Sequence, residues 1–138
     1  MNIYPFRIYV KQMKSPKKPY HRPGQGKQER FIQASILMGL RFKSSYGYEI
    51  IHTIQKFGFM EGQAPPGMIY RHLRQLEEDG LVSSEWKTQE AGPAKRMYFL
   101  TSEGQEVLGL WIEHMERQVK NFQNFIELYR RLELKDSP

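Results

Sequence analysis

The stretch that decides the reading is Pro65 to Gly80, PPGMIYRHLRQLEEDG. Proline is tolerated at the start of a helix, where the first N–H groups have no intrahelical partner. Glycine at the other end accepts the left-handed stop that a side chain resists. Between them Ile69, Leu73 and Leu76 recur at helical spacing and predict one apolar stripe. Tyr70, Arg71 and Arg74 fall off that stripe, and no acid occurs before Glu77. A short helix with a basic, aromatic front half and an acidic rear suits entry into a DNA major groove, N-terminus first. An ordinary amphipathic helix with solvated arginines is the plain alternative, and the flanking sequence decides against it.

Upstream, Glu29 to Phe42 carries Phe31, Ile32, Ala34, Ile36, Leu37, Met38 and Leu40, too many apolar residues for one stripe. That predicts a helix buried on most sides. Lys43-Ser44-Ser45 breaks it, and either serine is able to cap the next helix. Tyr46 to Phe57 is expected as that second helix, with Ile50, Ile51 and Ile54 inward, stopped by Gly58. A polar loop through Gly62 and Gln63 then leads back to the opening stretch. Three helices in this order form a helix-turn-helix core.

Downstream of Gly80 the period changes. Leu81–Lys87 and Arg96–Thr101 read as strands, separated by a segment containing Gly92-Pro93. This hairpin is a wing, and Lys95 and Arg96 are expected at its tip, where they meet phosphates or serve as surface decoration. Thr101 and Ser102 then offer an N-cap, with Gln105 three residues after Ser102. The final helix runs to about Leu132. Leu108, Ile112, Met115, Val119, Phe122, Ile126 and Tyr129 are spaced 4-3-4-3-4-3, the seam of a coiled coil, with Trp111 on its flank. A helix of roughly 45 Å exceeds what so small a body can cover. Its apolar face implies a partner, most simply a second copy of the chain; the alternative is packing against its own first helix.

The fold class is therefore α+β and mostly helical, a winged helix-turn-helix with a long C-terminal dimerisation helix. The chain divides into a basic arm over residues 1–28, the winged domain over 29–101, and the dimerisation helix over 102–138. At 138 residues the chain is one domain with appendages. The net charge of +6 is uneven. Residues 1–30 hold eight Lys or Arg against Glu29 alone, so the remainder is near neutral. Only local clustering, not the global charge, argues for nucleic acid. The leader, broken by Pro16, Pro19, Pro23, Gly24 and Gly26, reads as a flexible arm. It is either a solvated tail or a sequence-blind phosphate contact. Its tip, Ile3 to Val10, is able to dock as a short strand or arm. With no cysteine, no run of 18 apolar residues and no secretory pattern in MNIYPFRIYV, a cytoplasmic, nucleoid-associated protein is expected.

Taken together these residues resemble the PadR family of winged-helix transcriptional regulators over about Ile32 to Leu108. The likeness rests on Gly47-Tyr48-Glu49-Ile50, Gly67-Met68-Ile69-Tyr70, Leu73 to Val82, Glu85-Trp86 and Gly92 to Thr101, together with Gly104. The resemblance implies a homodimer that binds palindromic operator DNA and usually represses. Met68 and the long basic leader depart from the family pattern. The leader with a single C-terminal helix is similar in layout to repressors of circadian clock genes. Some relatives take flat aromatic effectors in the dimer interface, and Trp111, Phe122 and Phe125 raise that option here.

No catalysis is expected. His21, His52, His72 and His114 lie in separate segments without metal-ligand spacing, so no metal or cofactor is expected. Glu77, Glu78 and Asp79 are adjacent on a helix and do not converge across a cleft as an acid–base pair must. The expected interface thus places Pro66, Gly67, Tyr70, Arg71 and Arg74 in the groove of double-stranded DNA. Ser44, Ser45, Lys95 and Arg96 would hold the backbone. The other reading is a winged-helix adaptor that binds protein, favoured by the near-neutral body.

Overall fold

The computed structural model describes residues 25–58, 64–88 and 91–136, with side chains from Phe31 onward. The expected docking of Ile3–Val10, the role of the arm through residue 24 and the loop at Gly62 and Gln63 lie outside the described residues. In chain order the elements are α1 (Gln25–Phe42), β1 (Ser45–Tyr46), α2 (Gly47–Gln55), α3 (Pro66–Glu78), β2 (Val82–Lys87), β3 (Lys95–Leu100) and α4 (Ser102–Asp136). Helix α1 starts four residues before the expected boundary at Glu29. Gln25, Lys27 and Gln28 are good helix formers, but they bring no apolar period that would mark the start.

Helix α1 is the centre of the core. Ile32, Ala34, Ile36, Leu37 and Leu40 are buried on successive faces, and α2, α3, α4 and β3 all pack on it. Helix α2 is not capped by a serine. The Ser45 hydroxyl donates to Lys43 O at 2.9 Å, and Ser45 pairs with Tyr98 in the sheet. The Glu49 side chain caps instead, accepting the Tyr46 N–H at 2.9 Å. Gly58 ends the segment in the left-handed region, at φ +76°.

Helix α3 begins with Pro66 at its first position and closes in a Schellman turn. Gly80 N–H donates to Glu77 O at 3.1 Å and Leu81 N–H to Leu76 O at 2.9 Å, with Gly80 at φ +77° and Leu76 and Leu81 both buried. The chain then enters a three-stranded antiparallel sheet of order β1-β3-β2. Its third strand, β1, has no signature in the sequence, because two residues cannot display an alternation. Lys95 pairs with Lys87 and Arg96 with Trp86. Both basic residues therefore stand at the start of β3, below the hairpin tip rather than on it.

Thr101 caps α4 as expected. Its hydroxyl oxygen accepts the Gly104 N–H at 3.0 Å while its proton goes to Gly80 O at 2.8 Å. Here glycine is required by space: a Cβ on Gly104 would overlap the Leu81 carbonyl and lie 2.7 Å from Leu100 Cδ1. The same carbonyl accepts the Thr101 N–H, so it cannot retreat without losing that bond. Gly104→Ala should therefore remove roughly 1–3 kcal/mol of stability, lowering the melting temperature by on the order of 10 °C. Gly109→Ala, on the same helix where a Cβ meets nothing within 4 Å, should stabilise by ~0.5–1 kcal/mol. Thermal melts of the two variants check the pair.

The long helix divides in two. Gly104, Val107, Leu108 and Trp111 form an i, i+3, i+4, i+7 stripe buried with Leu110 in this chain's own core, where Trp111 lies 6.1 Å from Phe31, ring centroid to centroid. Leu108 (7 % exposed) and Trp111 (2 %) are therefore not free to form the expected dimer seam. Ile112 and Met115 are half-buried, Met115 against the core. From Glu116 to Asp136 every residue is exposed. The helix runs past the expected end at Leu132, reaching about 52 Å at ~1.5 Å per residue. Over that rod the seam residues Val119, Phe122, Ile126 and Tyr129 are more than half exposed, as are Phe125, Leu128, Leu132 and Leu134.

Candidate nucleic-acid interface

The buried face of α3 comprises Ile69, His72, Leu73 and Leu76. Gln33 Nε2 meets His72 Nδ1 at 2.8 Å and ties that face to α1. The opposite face carries Gly67, Tyr70, Arg71 and Arg74 at i, i+3, i+4 and i+7, all exposed, with Pro66 exposed at the helix start. These five expected groove residues share one surface. The Tyr70 ring lies over Gly47 so closely that a Cβ there would overlap it. This absence of a side chain at the start of α2 is what lets the two helices set the ring. The helix N-terminus, with its partial positive charge, belongs to the same end as the basic residues. Glu77, Glu78 and Asp79 crowd the other end. Burial and, to a lesser degree, Glu78 push the Asp79 carboxyl up, while a hydrogen bond from Gln75 opposes the rise.

Beneath this surface Tyr98 is buried in β3. Burial is the main reason its phenol is pushed above its ordinary value; Glu77 and Tyr70 add to the rise, and Arg96 and Arg74 oppose it. The folded protein then keeps this proton at a pH where the unfolded chain loses it. Stability should fall as pH rises from about 10 through the folded value, by at most ~1.4 kcal/mol per pH unit for one proton. Tyr98→Phe should remove that component. Urea midpoints for both proteins between pH 9 and pH 11 test the difference.

The residues expected on the DNA backbone do not all gather. Lys95 extends its ammonium over the Tyr48 ring at 5.0 Å, and Tyr48 in turn stacks on Tyr46 at 5.9 Å. Ser44 is half-buried, and Ser45, 4 % exposed, is closed off by its strand pairing; it is withdrawn from the interface. Arg96, its side chain 44 % exposed, lies across the wing surface against Glu77, Ser84 and Trp86. Sequence reading missed Tyr46 and Tyr48 as part of this surface, although the Tyr46-Gly47-Tyr48 repeat was a usable signal. The aromatic trio expected around an effector does not converge. Trp111 is in the core while Phe122 and Phe125 are on the exposed rod, and eleven residues of helix, roughly 16 Å, separate Trp111 from Phe122.

A trihelical core, a two-stranded wing and one exposed basic, aromatic helix face define a winged-helix regulator. Residues 36–110 match the family model of the transcriptional regulator PadR-like family, and the chain belongs to that family, whose members are regulators and not enzymes. It is 30% identical over 112 residues to the transcriptional regulator YqjI of Escherichia coli (strain K12). That match covers 78% of this chain and 50% of the relative, so the chain spans about half the length of the curated relatives it matches. Among solved structures, it is similar to a PadR family transcription regulator from Clostridium difficile R20291, at 25% identity and a TM-score of 0.62, over 70% of this chain and 98% of that one. A PadR-like transcription factor from Bacteroides fragilis aligns at 25% identity and a TM-score of 0.60, over 72% and 93% of the two chains.

Proposed function

We propose that the protein is a homodimeric repressor that reads a palindromic operator in double-stranded DNA. The observation that carries this reading is the exposed ridge of Gly67, Tyr70, Arg71 and Arg74 on a helix whose other face is locked into the core. Such a helix is stiff enough to present side chains to base edges at fixed spacing. Pro66 and Gly67 keep the leading turn slim, Tyr70, Arg71 and Arg74 meet bases or phosphates, and Lys95 and Ser44 hold the backbone. The exposed seam from Val119 to Tyr129 supports pairing of two copies, since the described residues of a single chain leave that apolar face in water. A two-fold pair sets half-sites about one DNA turn, or a multiple of it, apart.

Control of circadian clock genes is a narrower form of this reading, supported by the basic leader and single C-terminal helix alone. A changed rhythm on deletion of the gene would test it. The operator itself is found by selecting bound duplexes from a random pool. Recovery of an inverted repeat supports the proposal. Recovery of unrelated sequences with steep salt dependence points to non-specific coating, and absence of binding points to a protein adaptor.

A further inference from the structure

The wing and the reading helix are joined by a small polar cluster. Ser84 on β2 donates its hydroxyl proton to Glu77 Oε2 at 2.6 Å and accepts Arg96 Nε at 2.7 Å. Arg96 Nη2 also reaches Glu77 Oε1 at 3.4 Å. The guanidinium lies over the Trp86 ring, 5.5 Å from its centroid. Glu77 belongs to α3, Ser84 and Trp86 to β2, and Arg96 to β3. One planar cation thus ties both strands of the wing to the last turn of the reading helix.

We propose that Arg96 is a specificity-determining positioning residue, a latch that fixes the wing's angle to α3, rather than a phosphate contact. This rests on the DNA-binding reading above. The latch uses the properties that separate arginine from lysine: a fork that serves two oxygens at once and a flat face that stacks on an indole. Its charge is matched within the protein by Glu77, so it adds little attraction for phosphates. What it controls is the relation between Lys95, the next residue along, and the Tyr70–Arg74 ridge. If that relation loosens, operator DNA suffers and random DNA does not, because only the operator requires both contacts in register.

The two roles give opposite results for Glu77→Gln. If Arg96 holds a phosphate, removing the nearby acid strengthens DNA binding. The latch predicts weaker operator binding, on the order of fivefold, with random-duplex binding unchanged or tighter. Arg96→Ala and Arg96→Lys should show the same operator loss with an unchanged salt slope, and Glu77→Gln/Arg96→Ala should be no worse than the weaker single variant. A phosphate contact instead loses about one unit of salt slope in Arg96→Ala and is restored by Arg96→Lys; that outcome overturns the latch. A readout without DNA separates the latch from the binding reading. The chain has two tryptophans, and Trp111 is buried while Trp86 is 66 % exposed, so acrylamide quenching reports mainly on Trp86. Glu77→Gln, which does not alter either tryptophan, should raise that quenching as Arg96→Ala does. Quenching identical to the unmodified protein overturns the latch. Raised quenching in a protein that binds no operator leaves the latch standing and sinks the binding reading.

Discussion

A chain in which Phe122 and Ile126 are both replaced by glutamate is expected to fold, to run as a single protomer and to lose operator affinity by ~10²–10⁴. The fold should survive because, among the described residues, no hydrophobic side chain beyond Met115 belongs to the core or packs against it, and both replaced side chains are more than half exposed. Pairing should fail because the seam would bring carboxylates of two copies together across the axis, where each would have to be buried or repelled. The DNA loss is a matter of geometry. Two linked reading heads bind with an effective concentration that a single head lacks. Helix content should fall at the rod's end, since helices in proteins owe most of their stability to packing of an apolar face. Light scattering, circular dichroism and a gel-shift titration read the three consequences separately.

Arg74→Ala should abolish discrimination between the operator and a scrambled duplex, while Lys95→Ala weakens both about equally. Arg74 stands at the i+7 position of the exposed ridge on α3, where a guanidinium reaching a guanine edge is worth ~1–3 kcal/mol of discrimination. That is up to about two orders of magnitude in the affinity ratio. Lys95 rises from β3 on the Tyr48 ring and supplies a point charge, which serves any sequence and steepens the salt dependence by about one unit. Binding isotherms for both duplexes at two salt concentrations distinguish the roles. Equal loss on both duplexes from Arg74→Ala would assign that arginine to phosphate instead.

The elements that sequence disclosed were those with local punctuation. Pro66 and Gly80 bracket α3, Gly58 ends the segment after α2 and Thr101 opens α4, each through a backbone requirement of one or two residues. The exposed ridge was legible for the same reason, being the complement of the Ile69, Leu73 and Leu76 stripe. What stayed hidden depends on tertiary partners. Ser45 looked like a cap until strand pairing with Tyr98 turned it inward. Arg96 looked like a wing cation, because its partners Ser84 and Glu77 are 12 and 19 residues away and no period links them. The long helix misled most. Its heptad spacing continues without a break from Leu108 to Tyr129, yet the first part is buried against α1 and the rest is covered by none of the described residues. Sequence marks an apolar face; only the fold says which neighbour takes it.

On the proposed function, two copies joined through the exposed end of α4 address one duplex. Sedimentation of the protein with a duplex bearing one selected operator tests it most directly. The predicted result is a complex of two chains per duplex, with the free protein already a dimer. One chain per duplex at saturation, with a free protein that stays a single protomer, would contradict it.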